Sequence, residues 1–218
     1  MKIKIICAMG SNAVIGNKNE LPWKGMKEYK FDMDHFKETT TGNIVVMGYQ
    51  TYCSLGKKGL KDRINIVISR NHSHEIDLSK DSNIDYVFET YDELIQFIYH
   101  HKDLDLFRDK DMYIIGGSKL YYTFLEKDNV DELILTIFNK DFEGDRYFPI
   151  EVLLNKYTFK EEIIGNYPNG RIVKYTRDRS IENLYDTSNS NVQLTEVSRQ
   201  NGESGILETA AESRNKVD

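Results

Sequence analysis

The sequence predicts an α/β domain with a mainly parallel sheet and an antiparallel edge, and three observations carry that expectation. Short β-branched runs alternate with charged, amphipathic segments along most of the chain, the order that builds parallel strands with helical crossovers. Two of these strands end in glycine just before a helix, at Val46-Met47-Gly48-Tyr49-Gln50-Thr51 and Ile114-Ile115-Gly116-Gly117-Ser118-Lys119. The last two strands face each other across Asn166-Tyr167-Pro168-Asn169-Gly170, whose composition suits a hairpin turn.

Taken in order, Lys2–Ala8 begins in strand alternation and becomes fully apolar, as a strand with a buried end does. Tyr29–Thr40 is charged, with Phe31, Met33 and Phe36 among its apolar positions, and predicts an amphipathic helix. Ile44–Met47, Ile64–Ile68 and Ile84–Phe88 are the next strands. Thr90 opens a helix through Tyr99, and Glu93 completes a Thr-x-x-Glu capping box. Met112–Ile115 is a strand that runs into Gly116-Gly117, followed by a helix over Lys119–Leu125. Glu132–Phe138, Tyr157–Ile164 and Arg171–Thr176 complete the set.

Composition narrows the class. Of 218 residues, 29 are basic and 35 acidic, a net charge of −6 that gives no general attraction for nucleic acid or an anionic membrane. No apolar run approaches the roughly 20 residues that span a bilayer. The apolar stretch at the N-terminus is short and strand-like, with no cleavage-site pattern, so no signal peptide is expected. Cys7 and Cys53 make neither a metal cluster nor a disulfide framework, and a cytoplasmic, reduced, monomeric protein is the expectation. Beyond residue 178 the chain is rich in Ser, Asn and Glu, with Tyr185 its single aromatic. The domain is therefore placed at 1–178, and 179–218 is expected to be a mobile polar extension.

In open α/β sheets, ligands sit at the carboxyl ends of parallel strands. Glycine there admits a ligand to the backbone, and the first amides of the next helix can bind an anion. Two such junctions suggest a ligand with spaced phosphates, such as a dinucleotide, although the same glycines could simply turn the chain. Neither G-x-G-x-x-G nor a P-loop is present. His72 and His74 fall in a polar turn, and His100 and His101 at a helix C-terminus, so no metal site is expected of them. Asp32 is different. It lies between Phe31 and Met33, with Phe36 one turn further on its own face, and a carboxylate there needs hydrogen-bonding partners or its pKa rises.

Five segments stand in one order and spacing: Val14-Ile15-Gly16, Leu21-Pro22-Trp23, Met47-Gly48-Tyr49-Gln50-Thr51, Ile115-Gly116-Gly117-Ser118-Lys119-Leu120-Tyr121 and Glu143-Gly144-Asp145-Arg146-Tyr147-Phe148-Pro149. In this register, from the first strand to about Arg177, the chain resembles the dihydrofolate reductase family. The resemblance implies hydride transfer from NADPH to the pterin of 7,8-dihydrofolate, giving tetrahydrofolate. Asp32 then matches the pocket carboxylate that promotes pterin protonation, with Trp23 holding water beside it and Leu21 in the loop that closes over the nicotinamide. Ile6, Cys7, Met33, Phe36, Leu55, Leu60 and Ile115 would wall the pocket. Arg63 would clamp the glutamyl carboxylate and Thr136 would bond the pterin side.

The same resemblance places Ala8, Ile15, Gly16 and Asn19 at the nicotinamide. It gives Gly48, Tyr49, Gln50 and Thr51, with Gly116, Gly117, Ser118, Lys119, Leu120 and Tyr121, to the pyrophosphate junctions. Ser69 and Arg70 fall at the adenosine 2′-phosphate. It also implies a cis peptide between Gly116 and Gly117. Three departures stand out. Tyr49 replaces a common basic residue, about four residues are inserted between Trp23 and Asp32, and Leu60-Lys61-Asp62-Arg63 stands for Leu-Pro-Gly-Arg. Two other readings use the same fold: a riboflavin-pathway pyrimidine reductase, and a structural or binding protein that recruits a partner through its tail.

Overall fold

The computed structural model describes residues 1–180 other than 77, 79–82 and 168. The expectation for the tail beyond 180, and the central proline of the predicted hairpin turn, lie outside the described residues. Among the described residues no helix is long and apolar enough to cross a membrane.

The chain runs β1 (Ile3–Met9), β2 (Val14–Gly16), α1 (Lys27–Thr40), β3 (Ile44–Gly48), α2 (Tyr49–Ser54), β4 (Ile64–Ile68) and β5 (Tyr86–Phe88). It continues through α3 (Tyr91–His101), β6 (Met112–Gly116), α4 (Ser118–Glu126), β7 (Glu132–Phe138), β8 (Arg146–Tyr147), α5 (Ile150–Lys156), β9 (Phe159–Tyr167) and β10 (Gly170–Arg177). Eight strands form one sheet in the order β5-β4-β3-β6-β1-β7-β10-β9, and β2 pairs separately with β8. The strands from β5 to β7 are parallel, whereas β10 is antiparallel to both β7 and β9. That is the predicted mainly parallel sheet with its antiparallel edge.

Alternation along β1 feeds two separate cores. Ile5, Cys7 and Met9 pack on one face with Leu94 and Ile98 of α3 and Phe124 of α4. Ile6 joins Val45, Met47, Tyr113 and Ile134 on the other face, where Phe36 of α1 and Tyr52 of α2 cover it. A third cluster, Val14, Trp23, Phe138 and Phe142, closes one end.

The capping box forms with a changed partner. Thr90 accepts from the Glu93 amide at 3.2 Å, but the Glu93 carboxylate reaches back to the Glu89 amide at 3.0 Å. Five boundaries move by two or more residues. The first helix begins at Lys27, the strand expected from Ile84 begins at Tyr86, α3 runs on to His101, and β9 spans Phe159–Tyr167 instead of Tyr157–Ile164. Phe31, flanking Asp32, faces outward and is 42% exposed, with its ring 4.7 Å from that of Tyr167.

Candidate active site

The carboxyl ends of β1, β3, β4 and β6 open onto one cleft of about 920 Å³. That volume lies at the upper end of the range for small-molecule sites and suits two ligands side by side or one large dinucleotide. Asp32 sits at one end. It is 7% exposed, and it points from α1 toward Trp23 and the β7 residue Thr136. The Trp23 indole N–H donates to Asp32 Oδ2 at 3.3 Å. Trp23 is itself fully buried, held by Phe138 and Phe142 with ring centroids at 4.9 and 5.4 Å. Burial pushes the Asp32 carboxyl up to about 6, and the hydrogen bonds from Thr136 and Trp23 only partly oppose it.

Cys7 lies in the same wall. Burial pushes its thiol up to about 12, which leaves a small apolar side chain and no nucleophile at neutral pH. Next to it, the Tyr121 hydroxyl donates to the Ile6 carbonyl at 3.0 Å and so joins α4 to β1.

A short loop borders the cleft above these groups. Asn17 and Glu20 exchange backbone hydrogen bonds of 2.9 Å across Lys18 and Asn19, both of which have positive φ. The loop is anchored on β8. The Asp145 amide donates to the Gly16 carbonyl at 3.1 Å, and the Asp145 carboxylate accepts from the Lys18 amide at 3.3 Å.

At the far end the two glycine junctions face each other across Thr51. A Cβ on Gly116 would come within 3.2 Å of Thr51 Oγ1 and 3.4 Å of the Tyr121 hydroxyl, tighter than ordinary contact. Gly116 also has φ +128, so this position needs glycine on two counts. The Gly116–Gly117 peptide is cis. Ser118, the first residue of α4, has a buried hydroxyl that meets no partner among the described residues. A buried donor beside free helix N-terminal amides is what a phosphate would satisfy.

These geometries meet the comparisons at one point. A family model described as dihydrofolate reductase matches residues 2–175. The chain belongs to the dihydrofolate reductase family. It is 33% identical over 170 residues to dihydrofolate reductase of Mycoplasma pneumoniae, covering 76% of this chain and 96% of that protein. With dihydrofolate reductase of Buchnera aphidicola it shares 34% over 165 residues, covering 75% and 88%. It is 35% identical over 157 residues to the bifunctional dihydrofolate reductase-thymidylate synthase of Paramecium tetraurelia, but spans 28% of that protein's length and 71% of its own. Among solved structures, dihydrofolate reductase from Enterococcus faecalis complexed with NADP(H) and RAB-propyl has the same fold. Its TM-score is 0.62 at 23% identity, covering 81% of this chain and 96% of that one. The pyrimidine-reductase and binding-protein readings have no comparable support.

Of the residues that the dihydrofolate reductase motifs single out, the structure brings all but one to the border of the cleft. Arg63 is the one that does not reach it. Its guanidinium is spread over the end of α1, donating to the Lys61 carbonyl at 2.6 Å, the Lys37 carbonyl at 3.0 Å and Thr40 Oγ1 at 3.0 Å. The guanidinium fork thus ties the last turn of α1, through the Lys37 carbonyl and the Thr40 hydroxyl, to the chain ahead of β4. The cleft also gains residues that no motif marked. His35, one turn after Asp32, lines it and has a buried Nε2 that meets no partner among the described residues, while His72 borders it beside Ser69 and Arg70. The i, i+3 spacing of Asp32 and His35 was the available signal for the first. For the second there was none beyond closeness to Ser69 and Arg70.

Proposed function

We infer that the cleft reduces 7,8-dihydrofolate to 5,6,7,8-tetrahydrofolate, with NADPH as the hydride donor and dihydrofolate and cofactor side by side along the sheet. One observation carries the assignment of roles: a single desolvated carboxyl, Asp32, held by Trp23 and Thr136 at the apolar end of a cleft whose other end is lined by two glycine junctions. Bound NADPH supplies the hydride.

The chain's own residues do the rest. Asp32 accepts hydrogen bonds from the amino group and ring nitrogen of the pterin, and its negative charge favours the protonated heterocycle that accepts hydride. Trp23 and Thr136 fix the carboxylate from two sides, so it meets the ring in one orientation. Ile6, Cys7, Phe36 and Leu55 keep water away from it. Gly48, Gly116 and Gly117 let the pyrophosphate approach the backbone, and Ser118 offers it a hydroxyl donor. Arg70 and Ser69, which line the cleft, would take the adenosine 2′-phosphate. Arg63, three residues after Leu60 of the cleft wall, would have to release part of its hold on α1 to clamp a glutamyl carboxylate. The protein is proposed to act as a monomer in a reducing compartment, where Cys7 and Cys53 are free thiols.

NADPH oxidation with dihydrofolate as the sole acceptor tests this reading. Asp32→Asn is expected to bind NADPH as the parent does while turnover at pH 7 falls by about 10²–10⁴. The deficit should narrow at low pH, where substrate arrives already protonated. Unchanged turnover at pH 7 would remove Asp32 from the mechanism.

A further inference from the structure

At the end of the cleft lined by Ser69 and Arg70, a group of side chains forms a network of its own. Tyr49, the first residue of α2, donates its hydroxyl to the Glu75 carboxylate. The other oxygen of that carboxylate lies 2.7 Å from His72 Nδ1. The His72 ring stacks on the Tyr49 ring, with centroids 4.3 Å apart and planes 12° from parallel. The backbone is pinned as well, since Ser69 Oγ accepts from the His72 amide at 3.1 Å. His72 borders the cleft together with Ser69 and Arg70, and Glu75 stands behind it.

This arrangement determines what the imidazole can offer. With a carboxylate at Nδ1, the proton of the neutral ring resides on Nδ1, and Nε2 carries a lone pair. A lone pair repels phosphate oxygens. Protonation turns Nε2 into a charged N–H donor, so the ring passes from repelling an anion to binding one. Histidine is the side chain that makes this change between about pH 5 and 8.

We propose that His72, oriented by Glu75 and Tyr49, is a specificity-determining residue that makes recognition of the cofactor's 2′-phosphate depend on a proton. The proposal rests on the NADPH reading of the same cleft and adds to it. It explains how the site works with Tyr49 where a fixed cation is common: the tyrosine no longer meets the phosphate as a charge but holds the carboxylate that orients a titratable one. The surrounding charges make the proton matter. Arg70 comes from the same loop and brings a guanidinium to the same stretch of the cleft. Glu75 lies behind the ring with His74 next to it in the 3₁₀ turn Ser73–Glu75, and Glu89, at the end of β5, accepts from Ser73 Oγ at 3.2 Å. Two carboxylates oppose a phosphate dianion here, and a protonated His72 offsets one of them.

The test is the dissociation constant of NADPH and of NADH for the full chain between pH 5.5 and 8.5, for the parent, His72→Phe, His72→Gln and Glu75→Gln. The phosphate has its own ionisation near pH 6, so the contribution of His72 is read as the difference between parent and variant curves. Phenylalanine keeps the stack on Tyr49 without the charge. The parent should bind NADPH about five- to tenfold more tightly than His72→Phe near pH 6 and converge with it by pH 8.5. NADH should bind all forms alike. His72→Gln, a permanent neutral donor, should lose the parent's extra pH dependence while keeping part of the affinity. Glu75→Gln, which no longer fixes the ring proton on Nδ1, should narrow the gap between the parent and His72→Phe near pH 6. Parallel NADPH curves for the parent and both His72 variants would overturn the proposal while leaving the cofactor assignment intact. Failure of every folded form to bind NADPH would instead overturn the reading on which it rests.

Discussion

Asp32 works against the fold at neutral pH, and that cost is measurable. Burial holds its carboxyl at about 6 against an ordinary 3.8, so the folded state favours the protonated form. The stability that this proton supplies is complete below the unfolded value and is lost as pH rises from about 4 through 6. Above that window the native chain carries a buried charge with two hydrogen bonds to hold it, at a cost of about 2–3 kcal/mol. Asparagine keeps an oxygen for Trp23 and Thr136 without the charge. Asp32→Asn is therefore expected to raise the thermal midpoint by several degrees at pH 7.5 and to leave it unchanged near pH 3.5, as thermal unfolding followed by circular dichroism at both pH values will show. A gain in stability paired with a loss in turnover is the signature of a charge kept for chemistry. Asp32 was legible in the sequence because a lone acid between apolar residues on a helical face is a local pattern. His72 was not, because its role depends on Tyr49 and Glu75, 23 residues before it and 3 after. The direction of the Arg63 fork depends on the Lys37 carbonyl and the Thr40 hydroxyl of α1, which only the packed structure brings within reach.

Strands and helices divide by length in how far the sequence exposes them. Runs of five or more residues with a clear period, such as β3, β4 and β7, lie close to where their patterns place them. The unforeseen elements are β2 and β8, of three and two residues, with α5, of seven, while the helix expected after Gly48 is α2, of six. None spans enough turns or alternations to show a period, and each is stabilised by the tertiary surface on which it lies. Two of them matter for function. The pairing of β2 with β8 tethers the loop over the cleft, and Gly144 is the closest point of the tether. A Cβ there would come within 2.4 Å of Val14 Cγ1 and 2.5 Å of the Gly16 carbonyl oxygen, distances that force one strand away from the other. Gly144→Ala is expected to reduce turnover by about ten- to hundredfold through loss of loop placement. Dihydrofolate and NADPH should still bind in equilibrium titrations, because neither the Asp32 end nor the glycine junctions touch residue 144. Turnover equal to that of the parent would show that the loop does not depend on this tether.

The whole molecule is organised so that one end of the sheet does chemistry and the other ties the chain together. Away from the cleft, Lys4 on β1 bridges Asp111 ahead of β6 and Glu132 on β7, each at 2.9 Å, which locks the starts of three neighbouring strands. The end of β10 is fastened to the same side. Arg177 reaches Asp128 at 2.8 Å, its guanidinium 4.8 Å from the centre of the Tyr157 ring, and Arg179 reaches Asp131 at 2.9 Å. These contacts finish the described body at Ser180, close to the end of the family match at residue 175. Among the described residues, those that border the cleft lie between Ile6 and Arg146. Truncation after Ser180 keeps β10, its antiparallel pairing with β7 and both arginine clasps. It is therefore expected to leave turnover with dihydrofolate within about twofold and the thermal midpoint within about 2 °C of the full chain, since surface changes outside a core alter stability by about 0.5 kcal/mol or less. Truncation after Asp178 removes the Arg179 clasp as well, and the two shortened chains together separate its effect from that of the rest of the tail. A fall of many degrees in the longer of them would place part of 181–218 against the domain. The candidates would then be Ile181, Leu184 and Tyr185, the apolar residues that follow most closely on the last clasp.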